Sequence, residues 1–273
     1  MSKLWGAVQK SLLPPFTFDD LFSDSLGLIS KISVSKNRLS NYCKCENACA
    51  TSDAYKLKPL IEGLQNSQFD RSKYLKIINT GTIGKFHSKW GKREMTYLKH
   101  KYLYPAVNKK DFLSLFQNSY GIKSLQPKIV IKGLNLLDGC LDQDGVVIPG
   151  KTTLIITDRD IKKLKFLLII INSKLAFFYI KEKYPASSYN QGTSFTKDMI
   201  NDLPIPDVSS KEQKPFIEIV DKILATTKFD GYLEDSAKQA KVKEYERQIN
   251  QMVYKLYGLT PEEIKIVENS SKN

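Results

Sequence analysis

The chain has 273 residues, 41% hydrophobic and 26% charged, with a formal net charge of +13 and a pI near 9.3. These totals exclude a long disordered chain, and four cysteines are too few for a disulfide scaffold of this size. The surplus of positive charge predicts an anionic partner: nucleic acid, an acidic membrane surface or an acidic protein.

The N-terminal string MSKLWGAVQKSLLPPF has no continuous apolar run, so no signal peptide is expected, and Pro14-Pro15 breaks any helix there. LFSDSLGLISKISV predicts a short helix leading into a strand. Residues 40–60 hold three cysteines and then SDAYKLKPLI. YLKIINTGTIGKF, 74–86, alternates β-formers around Gly81 and Gly84 and reads as strand–turn–strand. KIVIKG at 128–133 is a strand, and CLDQDGVVIPGKTTLIIT at 140–157 reads as two strands around turns at Asp144-Gly145 and Pro149-Gly150.

At 158 the pattern changes. Asp158 or Asp160 can cap a helix running through IKKLKFLLIIINSKLAFFYI. Its most hydrophobic part, Leu164 to Ile180, is interrupted by Lys165, Asn172, Ser173 and Lys174, and is too short and too polar to span a bilayer. A buried helix in a cytoplasmic protein with no membrane partner is expected. Residues 184–195 form a polar loop, and FTKDMINDLPIPDVS leads to a boundary at Pro204 and Pro206.

Two amphipathic helices follow. QKPFIEIVDKILATTK gathers Phe216, Ile219, Val220, Ile223 and Leu224 on one face, and SAKQAKVKEYERQINQMVYKLYG gathers Val242, Tyr245, Ile249, Met252, Val253 and Leu256. Gly258 fits a helix C-cap, and Thr260-Pro261 starts a short last helix. The expected fold class is α+β: a β-rich domain over 1–210, then a helical region over 211–273. That tail either pairs with a partner helix, self-association included, or packs back on its own domain.

The charge is concentrated. Between Arg71 and Lys132 stand 14 Lys/Arg against two acids, Glu94 and Asp111, so this window carries +12 and the remainder about +1. Tyr74, Phe86, Trp90, Tyr97, Tyr102 and Tyr104 interleave with these bases, as do His87 and His100. The mix suits nucleic acid: lysine and arginine hold phosphates, polar side chains read base edges, and aromatic rings stack on exposed bases. About two-thirds of the six aromatics are nonetheless expected in the core.

Catalytic motifs are wanting. There is no Gly-rich S-adenosylmethionine loop, and Leu13-Pro14-Pro15-Phe16 puts leucine where an amino-methyltransferase needs an acceptor for the flipped base. Glu263-Ile264-Lys265 matches the short half of a PD-(D/E)xK nuclease without a partner aspartate. Walker and HExxH strings are absent, and two histidines leave little room for imidazole catalysis. Cys43, Cys45 and Cys49 form a weak zinc candidate, with Cys140, His87 or His100 as a fourth ligand; reduced structural thiols are the alternative.

Several stretches taken together resemble a known family: KIINTGTIGKFHSKWGKREMTYLKHKYLYP, PKIVIKG, LLIIINSKLAFFYI, the loop ending in FTKDMINDLPIP, and INQMVYKLYGLTPEEIKIVE. Over roughly 28–268 the chain resembles the TaqI-like C-terminal specificity region of adenine-N6 DNA methyltransferases. That region also occurs in Type IIG restriction–modification enzymes and BREX-type methyltransferases. The resemblance implies sequence-specific recognition of double-stranded DNA beside a catalytic domain or subunit that binds S-adenosylmethionine and flips an adenine. It also makes the LLIIINSKLAFFYI helix and Leu203 to Pro206 scaffold. This chain would carry no cofactor and no catalytic residue. No base-reading residue transfers by motif.

Charge and position select Lys85, His87, Lys89, Lys92, Arg93, Lys99 and Lys101, with the loop residues Ser188, Tyr189, Asn190, Gln191 and Thr193. Tyr189, Asn190 and Gln191 suit base edges. The competing expectations are a basic interaction protein that binds RNA or an acidic protein, such as a restriction antagonist, and a degenerate nuclease.

Overall fold

A computed structural model describes residues 24–187, 192–229 and 231–270. Helix α1 (Asp24–Ser33) and the short α2 (Leu39–Tyr42) lead to strand β1 (Cys45–Asn47), α3 (Thr51–Leu57), β2 (Glu62–Gly63) and β3 (Tyr74–Ile78). A hairpin of β4 (Met95–Tyr97) and β5 (His100–Tyr102) precedes β6 (Pro105–Asn108), α4 (Lys109–Leu115) and α5 (Ser119–Ser124). Four strands follow: β7 (Lys128–Lys132), β8 (Gly139–Asp142), β9 (Val147–Pro149) and β10 (Thr153–Thr157). The chain then turns helical, with α6 (Ile161–Asn172), α7 (Lys174–Lys183), α8 (Lys197–Asn201), α9 (Ser210–Thr227), α10 (Ser236–Leu256) and α11 (Pro261–Ser270). The fold class is α+β.

The larger strands form two sheets. One is antiparallel in the order β1-β10-β7-β8, and the other has the order β2-β6-β3-β9 with β9 parallel to β3. Side chains alternate across a strand, so each sheet serves two cores. From β7 and β10, Ile129, Ile131, Leu154 and Ile156 enter a core filled by α1, α6, α7, α9, α10 and α11. Val130 and Ile155 point the other way, toward Ile78 of β3 and Ile83, between the sheets. On the far side of the second sheet, Leu75, Ile77, Val107 and Ile148 meet Phe112, Phe116 and Tyr120. Burial on both faces explains the unbroken apolar run Ile129-Val130-Ile131.

Lys128 belongs to the same run and is fully buried. Its Nζ donates to Asp142 Oδ2 at 2.5 Å, to the Ser124 carbonyl at 2.7 Å and to the Gln126 carbonyl at 3.2 Å, which uses all three ammonium protons. Asp142 also accepts the N–H groups of Val146 (3.2 Å) and Val147 (3.0 Å). The pair thus fastens β7 and β8 of one sheet to β9 of the other.

Two asparagines close the outer strands of the first sheet. Asn172, at the end of α6, accepts from the Gly139 N–H at 2.7 Å and donates to the Gly139 carbonyl at 3.0 Å, on edge strand β8. Asn201, at the end of α8, makes the same double bond to Cys45 of β1, at 2.8 and 2.9 Å. An outward-facing backbone pair on each edge is thereby occupied.

The apolar stretch beginning at 161 is two helices rather than one. Ser173 is extended (φ −74°, ψ 151°); its Oγ donates to the Ile170 carbonyl at 2.7 Å and accepts the Ala176 N–H at 3.2 Å, ending α6 and capping α7. Asp160 is the cap of α6, while Asp158 binds Lys163 Nζ at 2.7 Å. Three strands, not two, occupy 139–157. The Asp144-Gly145 turn is as expected: Gly145 has φ +63°, and a Cβ there would stand 2.0 Å from the Leu125 carbonyl oxygen. Only the first half of YLKIINTGTIGKF is a strand, because a 3₁₀ turn at Thr80–Thr82 takes the chain out of the sheet. The strand expected after α1 does not form, and Val34 is exposed there.

The tail packs back on the body. Val242, Ile249 and Val253 of α10 are buried in the first core, with Tyr245, Met252 and Leu256 against it, so this stripe is not free for a partner helix or for self-association. The scaffold role of Leu203 to Pro206 has a physical basis. Leu203 and Ile205 are buried, the Leu39 N–H donates to the Leu203 carbonyl (2.8 Å), and Tyr257 Oη donates to the Pro204 carbonyl (2.6 Å). Gly258 (φ +66°) follows α10, and Thr260 forms a reciprocal cap with Glu263. No helix among the described residues is long and apolar enough to cross a membrane.

Candidate nucleic-acid interface

The basic window folds as a loop, a hairpin and strand ends. After β3, Asn79 accepts the Gly81 N–H (3.0 Å) and its Nδ2 donates to the Thr96 carbonyl (2.8 Å), tying the loop to the hairpin. The Gly84 N–H donates to the His87 carbonyl (2.9 Å) and the Lys89 N–H to the Thr82 carbonyl (2.7 Å). Within this tight loop Phe86 takes φ +63°, donates its N–H to the Gly139 carbonyl (2.8 Å) and plugs the main core. A side chain on Gly84 would strike the His87 ring at 2.7 Å.

The sequence candidates here separate by burial. Lys85 is half-buried at the rim of a cavity of about 180 Å³ that it shares with Leu136, Asp138, Lys174 and Phe177. His87 faces inward. Its Nδ1 lies 2.7 Å from the Lys85 carbonyl, its ring meets Tyr232 edge-on at 5.3 Å, and Nε2 is buried without a partner among the described residues. Burial pushes its pKa down from the usual imidazole value, which disfavours the charged ring.

Lys89 is crowded by like charges. Desolvation first, then Lys132 and Arg93, lower its pKa. Lys92 pairs with Glu234 at 3.4 Å and Lys101 with Glu94 at 3.6 Å, both well exposed; Lys132 pairs with Asp138 at 2.5 Å. Arg93 and Lys99 are exposed, and neither has an acid within ion-pair distance among the described residues.

The aromatics are packing elements. Phe86 and Tyr97 are buried, and Tyr74, Trp90, Tyr102 and Tyr104 are half-buried, which is fewer fully buried rings than expected but no exposed one. Trp90 donates Nε1–H to the Pro105 carbonyl (2.7 Å) and is edged by Phe69 (4.8 Å) and Tyr104 (5.2 Å), with Lys76 Nζ 4.3 Å from its ring centre.

Of the polar-loop candidates, Ser188, Tyr189, Asn190 and Gln191 lie outside the described residues. Thr193 is buried, and its carbonyl accepts the Asn135 N–H at 2.7 Å, so it anchors the loop rather than facing solvent. The loop's flanks meet where Ser194 N–H donates to the Ser187 carbonyl (2.9 Å), and Phe195 N–H donates to the Gly133 carbonyl (2.9 Å). Its described flanks therefore sit on the stretch 133–138 that also forms the rim beside Lys85.

Sequence reading passed over Lys73, Lys109 and Lys110. None of the three has an acid partner among the described residues, and the Lys109 N–H donates to the Lys73 carbonyl at 2.9 Å. The Lys109-Lys110 pair opening a helix was the available signal.

The zinc candidate is corrected by packing. Cys43 and Cys45 lie in the first core, Cys49 in the core under the second sheet and Cys140 between the sheets. Burial raises all four thiols, Cys43 and Cys140 to about 12 and Cys49 to about 11, so they remain protonated. No group of three His, Cys, Asp or Glu among the described residues could hold a metal ion. Glu263 of the nuclease-like string caps α11 and binds Lys31 at 2.6 Å.

No protein-family model matches the chain, and no curated protein matches it either. Among solved structures, 87% of the chain is similar to part of the type IIG restriction endonuclease BpuSI, with a TM-score of 0.48, 12% identity and 34% of that chain covered. It is likewise similar to part of the Type IIL restriction-modification enzyme MmeI, solved in complex with DNA, with a TM-score of 0.46, 9% identity and coverage of 87% of this chain and 37% of that one. The chain therefore spans about a third of the length of either protein. At these values the functional reading rests on the chain's own residues.

Proposed function

We propose that the chain is a sequence-specific double-stranded DNA recognition module of a restriction–modification or adenine-N6 methylation system. It serves a catalytic methyltransferase or restriction partner, which supplies S-adenosylmethionine chemistry. The observation that carries this reading is the state of the basic window. Of its 14 cations, Lys73, Lys85, Lys89, Arg93, Lys99, Lys109 and Lys110 have no acid within ion-pair distance among the described residues. Self-repelling, uncompensated cations on a folded protein favour a polyanion, and a duplex releases counterions as they engage it.

The test is selection of bound sequences from a random duplex library at about 0.1 M salt, followed by a salt titration of the enriched site. Enrichment of one short motif is the expected result. Equal or tighter binding of single-stranded RNA, or no duplex binding, overturns the reading.

A further inference from the structure

The turn of the β4–β5 hairpin is built from the wrong residues for its geometry. Tyr97 pairs with His100, which leaves a two-residue turn at Leu98-Lys99, and both residues have positive φ, 44° and 74°. This is the region that Asn-Gly fills without strain and that other side chains resist. Leu98 has a local reason to be there, since it packs against the core beneath the second sheet. Lys99 has none: it is exposed and makes no ion pair or hydrogen bond among the described residues. Strain that nothing in the fold repays concentrates at functional positions.

Paired residues share a face of the ribbon, so Met95, Tyr97, His100 and Tyr102 lie on one side and Thr96 with Lys101 on the other. Met95 and Tyr97 are buried, and Tyr97 Oη donates to the Ala54 carbonyl at 3.1 Å. Thr96, Lys99, His100 and Lys101 are exposed. Against them stands one acid, Glu94, in an exposed pair with Lys101. The hairpin is therefore rooted on one side and presents hydrogen-bond donors, a methyl group and positive charge on the other.

We propose that this hairpin is the reading element of the molecule and that its tip, Lys99 with Lys101 and Thr96 behind it, enters the major groove of duplex DNA. A two-stranded ribbon fits that groove. Lysine donates to guanine O6 and N7, and the threonine methyl packs on the thymine methyl. This deepens the recognition-module reading and rests on it.

The test exploits the strain. Glycine accepts φ 74° freely, so Lys99→Gly melts at the same temperature as the parent chain or higher. On the duplex motif selected with the full-length parent chain, Lys99→Gly loses roughly tenfold or more in affinity. On a scrambled duplex it loses much less, and Lys99→Arg keeps most of the discrimination. Unchanged motif affinity in Lys99→Gly overturns the hairpin assignment and leaves the recognition module standing. Equal loss on both duplexes makes Lys99 a phosphate contact and overturns groove entry, and a lower melting temperature makes it a structural residue. Absence of a selected motif for the parent chain overturns the module reading and this inference with it.

Discussion

Replacing Lys128 by methionine tests the account of how the two sheets are joined. Methionine matches the lysine stem but removes an ammonium with three acceptors. It leaves the Asp142 carboxylate, 4% exposed, without its cation. Breaking a buried pair from one side costs about 3–5 kcal/mol, because the remaining charge stays desolvated. At a few degrees per kcal/mol for a domain of this size, the melting temperature falls on the order of 10 °C. The double variant Lys128→Met/Asp142→Asn removes the buried charge and keeps an acceptor for one of the Val146 and Val147 amides, which bind different carboxylate oxygens, and so recovers part of the loss. Circular dichroism melts of the three proteins at pH 7 are the assay. A single-variant loss under about 1 kcal/mol, or a double variant no better than the single, refutes the reasoning.

Three further predictions follow from the same structure. Asn172→Ala removes the acceptor of the Gly139 N–H and one of two donors to its carbonyl, which keeps the Phe86 N–H, and is expected to cost about 1–3 kcal/mol in urea unfolding; a loss well below about 1 kcal/mol would show that water replaces the amide. Burial opposes ionisation of Asp202, but bonds from Lys183 (2.5 Å) and Tyr184 Oη (2.7 Å), with Arg38 Nε at 3.3 Å, hold its pKa below the usual carboxylate range. The stability it contributes is present above the unfolded pKa near 3.9 and lost as pH falls through the lower folded value. Asp202→Asn therefore trails the parent by about 2 kcal/mol at pH 7 and converges with it in strong acid; equal gaps at both pH values contradict the linkage. Changing Lys85, Lys89 and Arg93 together to glutamine should reduce the slope of log K against log salt on duplex DNA by about 3, and an unchanged slope would place the phosphates elsewhere.

What could be read from the sequence was whatever is locally periodic. The apolar run at 129–131, the caps at Asp160 and Thr260 and the faces of α9 and α10 all declare themselves within a few residues. The hairpin did not, because Leu98-Lys99 replaces the glycine that marks such turns. β2 and β9 are two and three residues long and are defined only by distant partners, Pro105-Ala106 and β3. For the site, charge could be counted but its neutralisation could not. Lys92 and Lys132 find acids through the fold, and His87 is withdrawn by Tyr232, a residue far along the chain. The cysteine spacing looked like a ligand set because sequence proximity hides the division of Cys43, Cys45 and Cys49 between two cores.

The asparagine clamps on Gly139 and Cys45 have a consequence for how the protein fails. Each edge strand is shielded by a helix end rather than by its own charges, so the shield can come off before the sheet melts. Undocking of α8 alone would bare β1 as a template for another copy's strand, at temperatures where the sheet is still intact. Heat-induced aggregation should therefore begin below the global melting temperature and be advanced more by Asn201→Ala than by substitutions inside the sheets.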